Sequence, residues 1–369
     1  MRPEALEATL AAMHTVGNAS STHRSGRDAA QRVDEARRQV ADLLNCSPGE
    51  IVFTSGATEA NNLALRAAHS VGGAVITSTV EHPAVLETAK NLTANMPDML
   101  RLLAVDADGL VDLDGLHAAL STGDVAVVSL MAANNETGVV TDLAPLAEAA
   151  HAAGALFHTD ATQMVGRLPI DLSEVDVDLL SLSAHKFGGP QGVGALFVRR
   201  GISLPFHPLI FGGGQERGWR AGTLNVAGIA GAGAAAAAAH RCLAEEGARV
   251  AGFRDLLESA LVEQLGDCRI NGALDHRLPG VTSITFRGAP ADAVLTAMPD
   301  VAASEGSACS SGAPSPSHVL LAMGRSREEA DSTVRFSLGY ASTHDDVDQA
   351  IVSTIRAVQQ VRATLAIPT

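Results

Sequence analysis

Three features of the sequence predict an α/β fold with a mostly parallel central sheet, helices on both faces and a smaller α+β domain towards the C-terminus. Short apolar runs alternate with amphipathic stretches of helical period from Ile51 to Val198. Apolar runs that do not alternate with polar residues suit strands buried on both faces, as in parallel sheets covered by helices. After Cys268 the texture changes to alternating strands and short helices. Residues able to do chemistry recur just beyond the apolar runs, and open parallel sheets bind their ligands past the carboxyl ends of their strands.

Taken in order, Pro3–Val16 reads as a short helix and Ser25–Leu44 as a longer amphipathic one. Strands are expected over Ile51–Thr54, Ala74–Thr77, Leu100–Val105, Val125–Leu130, Ala155–His158, Asp178–Leu182 and Val193–Val198. Helices are expected between them over Thr58–Ala68, Pro83–Asn95, Leu113–Leu120 and Leu143–Ala153. Gly222–Leu265 is long and helical in pattern. Val281–Phe286 reads as a half-exposed strand, Ala291–Met298 as a helix, Thr333–Leu338 as a strand and Asp345–Leu365 as a final helix. The expected boundary lies near residue 243, giving a large domain over 1–243 and a small one over 244–369.

A chain of 369 residues with 46% hydrophobic residues can bury a sizeable core and is long for one domain. The formal charge of -15 and the absence of basic clusters argue against direct nucleic-acid binding. Cys46, Cys242, Cys268 and Cys309 are scattered, with no CxxC pair for zinc or dithiol chemistry, so free thiols in a reducing cytoplasm are expected and no metal site. No signal peptide and no membrane span are expected; the alanine- and glycine-rich Ala230–Ala239 is too short and runs into charged residues.

Lys186 stands out because it and Lys90 are the only lysines among 26 basic residues. Arginine cannot lose its proton, whereas a partly desolvated lysine can become a nucleophilic amine. Lys90 lies in a stretch that suits a surface helix and reads as a solvated side chain. Thr54–Glu59 places a glycine turn before a helix, which is either an anion site at the helix start or an ordinary helix capped by a threonine. His82 follows a strand and could be structural, and Asn134–Gly138 could be turn chemistry alone. Asp160, just past a strand, needs a cationic partner if buried. With Gln163, Ser183 and His185, these groups are the parts of a pyridoxal phosphate site: a lysine for the Schiff base, a carboxylate for the pyridine nitrogen, an imidazole and a phosphate cradle.

Phe53–Asn62, Asn134–Glu136, Asp160–Gln163, Ser183–Lys186, Gly212–Gly218, Gly306–Cys309 and Arg335–Gly339 match, in order and over nearly the whole chain, motifs of one family. The sequence resembles the cysteine desulfurases of the class V aminotransferase family, which are fold type I pyridoxal 5'-phosphate enzymes. The resemblance implies that Lys186 holds the cofactor, Asp160 pairs with its ring nitrogen and His82 stacks on the ring and moves protons. It also implies that Gln163 and Asn135 lie on the ring hydroxyl side and that Ala57, Thr58, Ser183 and His185 belong to the phosphate side. Thr223 would reach the phosphate of the partner subunit in a homodimer. Arg335, aided by Asn135, would bind the carboxylate of the substrate, L-cysteine. Cys309, in a Ser-, Gly- and Pro-rich run expected to be mobile and exposed, would take the sulfur as a persulfide, releasing alanine and passing sulfur to an acceptor protein such as an Fe–S scaffold or a thiolation enzyme.

Some residues depart from that pattern. The family's usual opening strand and Asp-x-x-Ala-Thr-Thr-Pro stretch are absent before Arg2, for which a misassigned start is one expectation. Ala19, Glu305 and Tyr340 replace commoner Pro, Ser and Arg residues, and Glu305 is expected to raise the pKa of Cys309 and slow its attack. The alternatives are another fold type I reaction, such as a selenocysteine lyase or aminotransferase, and a scaffold subunit with impaired activity.

Overall fold

Residues 1–15, 17–202, 204–306 and 316–366 are described by a computed structural model. They divide into two units. The first holds Met1–Leu103, Leu113–Ala132 and Asp142–Leu243, and the second Ala104–Asp112, Ala133–Thr141 and Ala244–Thr369. Two short segments from the first half of the chain therefore count with the C-terminal unit, which a single cut at residue 243 does not separate.

The first unit opens with α1 (Pro3–Met13) and α2 (Arg24–Leu44). The His23 ring caps α2 by accepting from Gly26 N–H, and Asn45 ends it in the left-handed region. Then follow β1 (Ile51–Thr54), α3 (Ala57–His69), β2 (Ala74–Ser78), α4 (Pro83–Leu92), β3 (Leu100–Leu103), α5 (Leu113–Leu120), β4 (Val125–Ser129), α6 (Leu143–Ala152), β5 (Leu156–Asp160), β6 (Leu179–Ser183) and β7 (Gly194–Val198). The strands form one sheet in the order β1-β7-β6-β5-β4-β2-β3. It is parallel from β6 through β5, β4 and β2 to β3, while β7 runs antiparallel to both β6 and β1. The expected mostly parallel α/β sheet is thus present. β1, β2, β4, β6 and β7 are buried along their whole length, which is why their residues show no alternation.

Several expected boundaries move for identifiable reasons. β5 continues past His158 because Thr159 and Asp160 pair with Leu180 and Ser181 of β6, so Asp160 ends the strand rather than following it. β3 stops at Leu103, and Val105 instead bridges to Val111 within the second unit. The helix α3 takes Gly56 as its N-cap, with no side chain capping it, so the threonine cap is not formed.

The helix α7 (Val226–Leu265) spans 40 residues. By length and composition it could cross a membrane, yet half of its apolar stretch is buried inside the protein. Its small residues have a packing cause: a Cβ on Gly233 would lie 2.4 Å from Ala36 Cα of α2, and one on Gly231 would lie 2.1 Å from Thr9 Oγ1 of α1. Larger residues there would push α1 and α2 off α7.

The second unit adds β8 (Cys268–Ile270), β9 (Val281–Phe286), α8 (Ala291–Ala297), β10 (Ser304–Glu305), α9 (His318–Ala322), α10 (Arg327–Asp331), β11 (Thr333–Ser337) and α11 (His344–Leu365). Its sheet is antiparallel in the order β10-β11-β9-β8, and α8 and α11 contribute Val294, Val347 and Val358 to the core over Ile284 and Phe286. β9 is buried at all six positions, not half-exposed. Its polar residues are covered instead: Thr285 Oγ1 accepts from Asn271 Nδ2 at 2.9 Å and lies 2.7 Å from Thr333 Oγ1, while Thr282 Oγ1 is buried without a partner. The short β8, β10, α9 and α10 carry too few residues to show a period.

Two positions in the first unit test these packing arguments. A Cβ on Gly194 would lie 2.5 Å from Leu182 O and 2.6 Å from Gly56 Cα, both backbone atoms. Gly194→Ala should therefore lower stability by about 1–3 kcal/mol in denaturant titration, whereas Gly49→Ala, with nothing near it, should not. His158, fully buried in β5, lies between Ser129 Oγ on β4 (2.8 Å) and Ser181 Oγ on β6 (3.1 Å). Burial pushes its pKa down to about 4 against the opposing pull of Asp160. As pH falls from 6.5 towards 4, the unfolded chain takes up a proton that the folded chain refuses. Stability from this residue should fall by about 1.4 kcal/mol per pH unit in that window, and His158→Gln should flatten that part of the profile.

Candidate active site

The carboxyl ends of β1, β5 and β6 carry the first unit's chemistry. At the end of β5, Asp160 is buried, with Oδ2 accepting from Asn61 Nδ2 of α3 at 2.7 Å and Oδ1 from Thr162 N–H at 3.0 Å. Among the described residues no Lys or Arg pairs with it. A buried carboxylate without a cation is costly, and each of its oxygens retains acceptor capacity. Asn61 Oδ1 and Thr162 Oγ1, on the two residues that hold Asp160, are also buried without hydrogen-bond partners. A buried carboxylate with acceptor capacity to spare can take a further N–H donor.

On the next strand, β6 runs into a 3₁₀ turn over Ala184–Phe187 that places Lys186 half-buried and His185 exposed. Gly188 ends the turn in the left-handed conformation, φ 92°. Arg2 seats against this turn, its N–H donating to Gly188 O at 2.7 Å and its Nε to Phe187 O at 3.0 Å. Arg167 donates to Gln163 Oε1 and, at 3.4 Å, to Lys186 O, so Gln163 is linked through Arg167 to the lysine turn.

The α3 N-terminus supplies the third part. Its first turn, with buried Ala57 and exposed Thr58, is uncapped by any side chain, which leaves backbone N–H groups and the positive dipole end for an anion. A Cβ on Gly56 would lie 3.7 Å from Ser183 Oγ, so the end of β6 abuts this turn. Ser183 Oγ lies 2.9 Å from His185 Nδ1, and burial followed by Lys186 and Arg167 lowers the His185 pKa. Glu59 closes the rim, accepting from Ser55 N–H at 2.7 Å and from Arg220 Nε at 3.0 Å.

His82 is the N-cap of α4, its Nδ1 accepting from Ala84 N–H at 3.0 Å. That bond places the proton of the neutral ring on Nε2. Beneath it, buried Glu81 accepts from Met131 N–H (2.8 Å) and Ser78 Oγ (3.0 Å), joining the ends of β2 and β4. Burial, reinforced by Asp160, pushes its carboxyl up to about 8.

The second unit carries Asn135 and Arg335. Asn134 Oδ1 accepts from Glu136 N–H at 2.8 Å and Thr137 N–H at 3.0 Å, forming the turn that presents Asn135. Arg335 of β11 donates to Asn135 O at 3.0 Å and Ser304 Oγ at 2.9 Å, while its Nε is buried without a partner. The guanidinium is held in one orientation with donors to spare. Thr223 is exposed just ahead of α7, and Cys309 lies outside the described residues. Among the other cysteines, burial raises the Cys46 pKa to about 12 and also raises that of Cys268. Lys90 is exposed and pairs with Glu87 at 2.7 Å.

Sequence reasoning missed Asn61, Glu81, Arg167 and Arg2. Asn61 lies one helical turn beyond Ala57, and Arg167 four residues beyond Gln163, a spacing at which side chains meet. Glu81, an acid set between Val80 and His82 beside an apolar strand, was visible as an anomaly. Nothing local marks Arg2, whose partners are far along the chain.

The class V aminotransferase family profile matches residues 2–350. A protein named cysteine desulfurase from Frankia sp. (strain EuIK1) is 46% identical over 359 residues, covering 94% of this chain and 85% of the relative. The solved structure of a NifS-like protein from Rickettsia africae ESF-5 superposes with a TM-score of 0.88 at 32% identity, covering 97% of this chain and 96% of that one. A structure titled SspA in complex with cysteine has a TM-score of 0.79 at 32% identity, covering 93% of this chain and 97% of that one. Coverage of this extent by sequence and by fold means that the chain belongs to the class V aminotransferase family, among its cysteine desulfurases.

Proposed function

We propose that this chain is a pyridoxal 5'-phosphate-dependent cysteine desulfurase, which takes sulfur from L-cysteine onto Cys309, releases alanine and hands the sulfur to an acceptor protein. The observation that carries the reading is Asp160, a buried carboxylate without a protein cation, one strand away from the Lys186 turn. The relatives named cysteine desulfurase and the neighbour bound to cysteine support the substrate.

When bound, pyridoxal phosphate supplies an aldehyde and a ring that draws electrons from the substrate. Asp160 would keep the ring nitrogen protonated, and Asn61 and Thr162 N–H hold that carboxylate in place. The N–H groups at the start of α3, with Thr58, Ser183 and His185, would bind the phosphate. Lys186 Nζ would hold the group and, once the substrate amine replaces it, move the proton of the substrate Cα. His82 would exchange a proton at Nε2, and Gln163 and Asn135 would lie on the ring hydroxyl side. Arg335, aligned by Asn135 O and Ser304 Oγ, would bind the substrate carboxylate with its remaining N–H donors.

The sulfur step balances without an external oxidant. The Cys309 sulfur bonds to the substrate sulfur as the substrate Cβ–S bond breaks. The electron pair of that bond stays with the carbon, which takes a proton and leaves as alanine, and Cys309 becomes a persulfide. The acceptor would be an Fe–S scaffold or a thiolation enzyme. Thr223, which is exposed, would reach the partner subunit's phosphate site in a homodimer. The free thiols Cys46, Cys242 and Cys268 support a reducing, cytoplasmic setting.

Two variants and one substitution at the ring site test this. Lys186→Ala should yield protein without the borohydride-sensitive yellow absorption and lower alanine production by roughly a thousandfold or more. Cys309→Ala should keep the absorption and its response to L-cysteine yet form no persulfide; full alanine production by this variant would favour another fold type I lyase. Asp160→Asn should retain the colour and lose on the order of a hundredfold or more in rate, measured as alanine released.

A further inference from the structure

Glu136 is buried in the second unit and is not needed for any step above. Its carboxylate accepts a hydrogen bond from Ser317 Oγ, and a Cβ on Gly306 would lie 2.9 Å from its Oε2. The same Cβ would lie 3.4 Å from Ser317 Cβ, so Gly306, Ser317 and Glu136 meet at one point. In sequence, Gly306 and Ser317 bracket the stretch that contains Cys309. We infer that Glu136 is the positioning residue for sulfur transfer, tying the start and the end of the Cys309-bearing stretch to the turn that presents Asn135.

Each end has a second fastening. Ser304, two residues before Gly306, pairs with Arg335 in the β10–β11 ladder and bonds to its guanidinium. Ser317 caps α9, its Oγ accepting from Leu320 N–H at 3.1 Å while donating to Glu136. Asn134 in turn holds the Glu136 backbone through its N–H. One carboxylate therefore connects three segments, over Asn134–Gly138, Ser304–Gly306 and Ser317–Leu320. A side chain at 306 would press on the Glu136 carboxylate, so the two must shift apart unless residue 306 is glycine. Burial raises the Glu136 pKa, while Ser317, His318 and Arg335 oppose that rise.

The inference deepens the desulfurase reading and rests on it. Holoenzyme with Glu136→Ala, Glu136→Gln or Ser317→Ala would be compared with the parent by three measurements. These are the absorbance change on adding L-cysteine, the rate of Cys309 persulfide formation trapped by alkylation, and amide hydrogen exchange at 304–306 and 317–322. Glu136→Ala should keep the absorbance change, slow persulfide formation on the order of a hundredfold, and speed exchange at both ends. Glu136→Gln, able to accept from Ser317 in the same place, should recover most of the rate, and Ser317→Ala should behave like Glu136→Ala. Parent-like exchange or persulfide rates in Glu136→Ala would overturn the inference, as would a loss of the absorbance change in parallel with the rate or a Gln variant as slow as Ala. If the parent protein itself forms no Cys309 persulfide, it is the desulfurase reading that fails, and the exchange measurement still decides whether Glu136 ties both ends.

Discussion

A carboxylate buried at the end of a parallel strand is the constraint on which the first unit's site depends. Burying Asp160 without a protein cation costs free energy that hydrogen bonds from Asn61 and Thr162 only partly offset. Its neighbours are kept from adding to the local charge. His158 stays neutral because burial depresses its pKa, and Glu81 stays protonated because burial and Asp160 raise its own. Asp160 is therefore a buried acceptor held by hydrogen bonds, the feature on which the proposed counter-charge for a cationic ring nitrogen rests.

Around that charge the backbone does much of the positioning. The start of α3, the end of β6 and the start of β7 come together because Gly56 and Gly194 carry no side chains, which leaves an uncapped helix terminus beside Ser183 and His185. In the second unit Arg335 is likewise held in one orientation, through a backbone carbonyl and a serine hydroxyl. Rigid placement of donors reduces what must be ordered on binding.

Much of this was legible in the chain. β1, β2, β4 and β7 appear as unbroken apolar runs because both faces are covered, and candidate residues fall at the ends of β1, β2, β5 and β6 because strands running the same way bring those ends to one edge of the sheet. β9 was misread because Thr282, Ser283 and Thr285 alternate with apolar residues as though they met water. All three are buried, and Ser283 and Thr285 meet Asn271 and Thr333 instead of water, partners that lie outside any local window. The short β10 and α9 left no period, although they hold Ser304 and Ser317. Ala104–Asp112 and Ala133–Thr141 count with the C-terminal unit although they lie far ahead of it in sequence, a grouping that no local pattern shows.

The sequence by itself determined the fold class, the family and the identity of the groups able to do chemistry, because residue type and spacing report local periodicity and functional groups directly. Only the tertiary structure decided which groups share a charge and which hold one another. Asn61 on Asp160, Arg167 between Gln163 and Lys186, Arg2 on the lysine turn and Glu136 between Gly306 and Ser317 are contacts between residues remote in sequence or hidden within a helix. Such pairings depend on how elements pack, and packing is set by the whole core rather than by any stretch of chain.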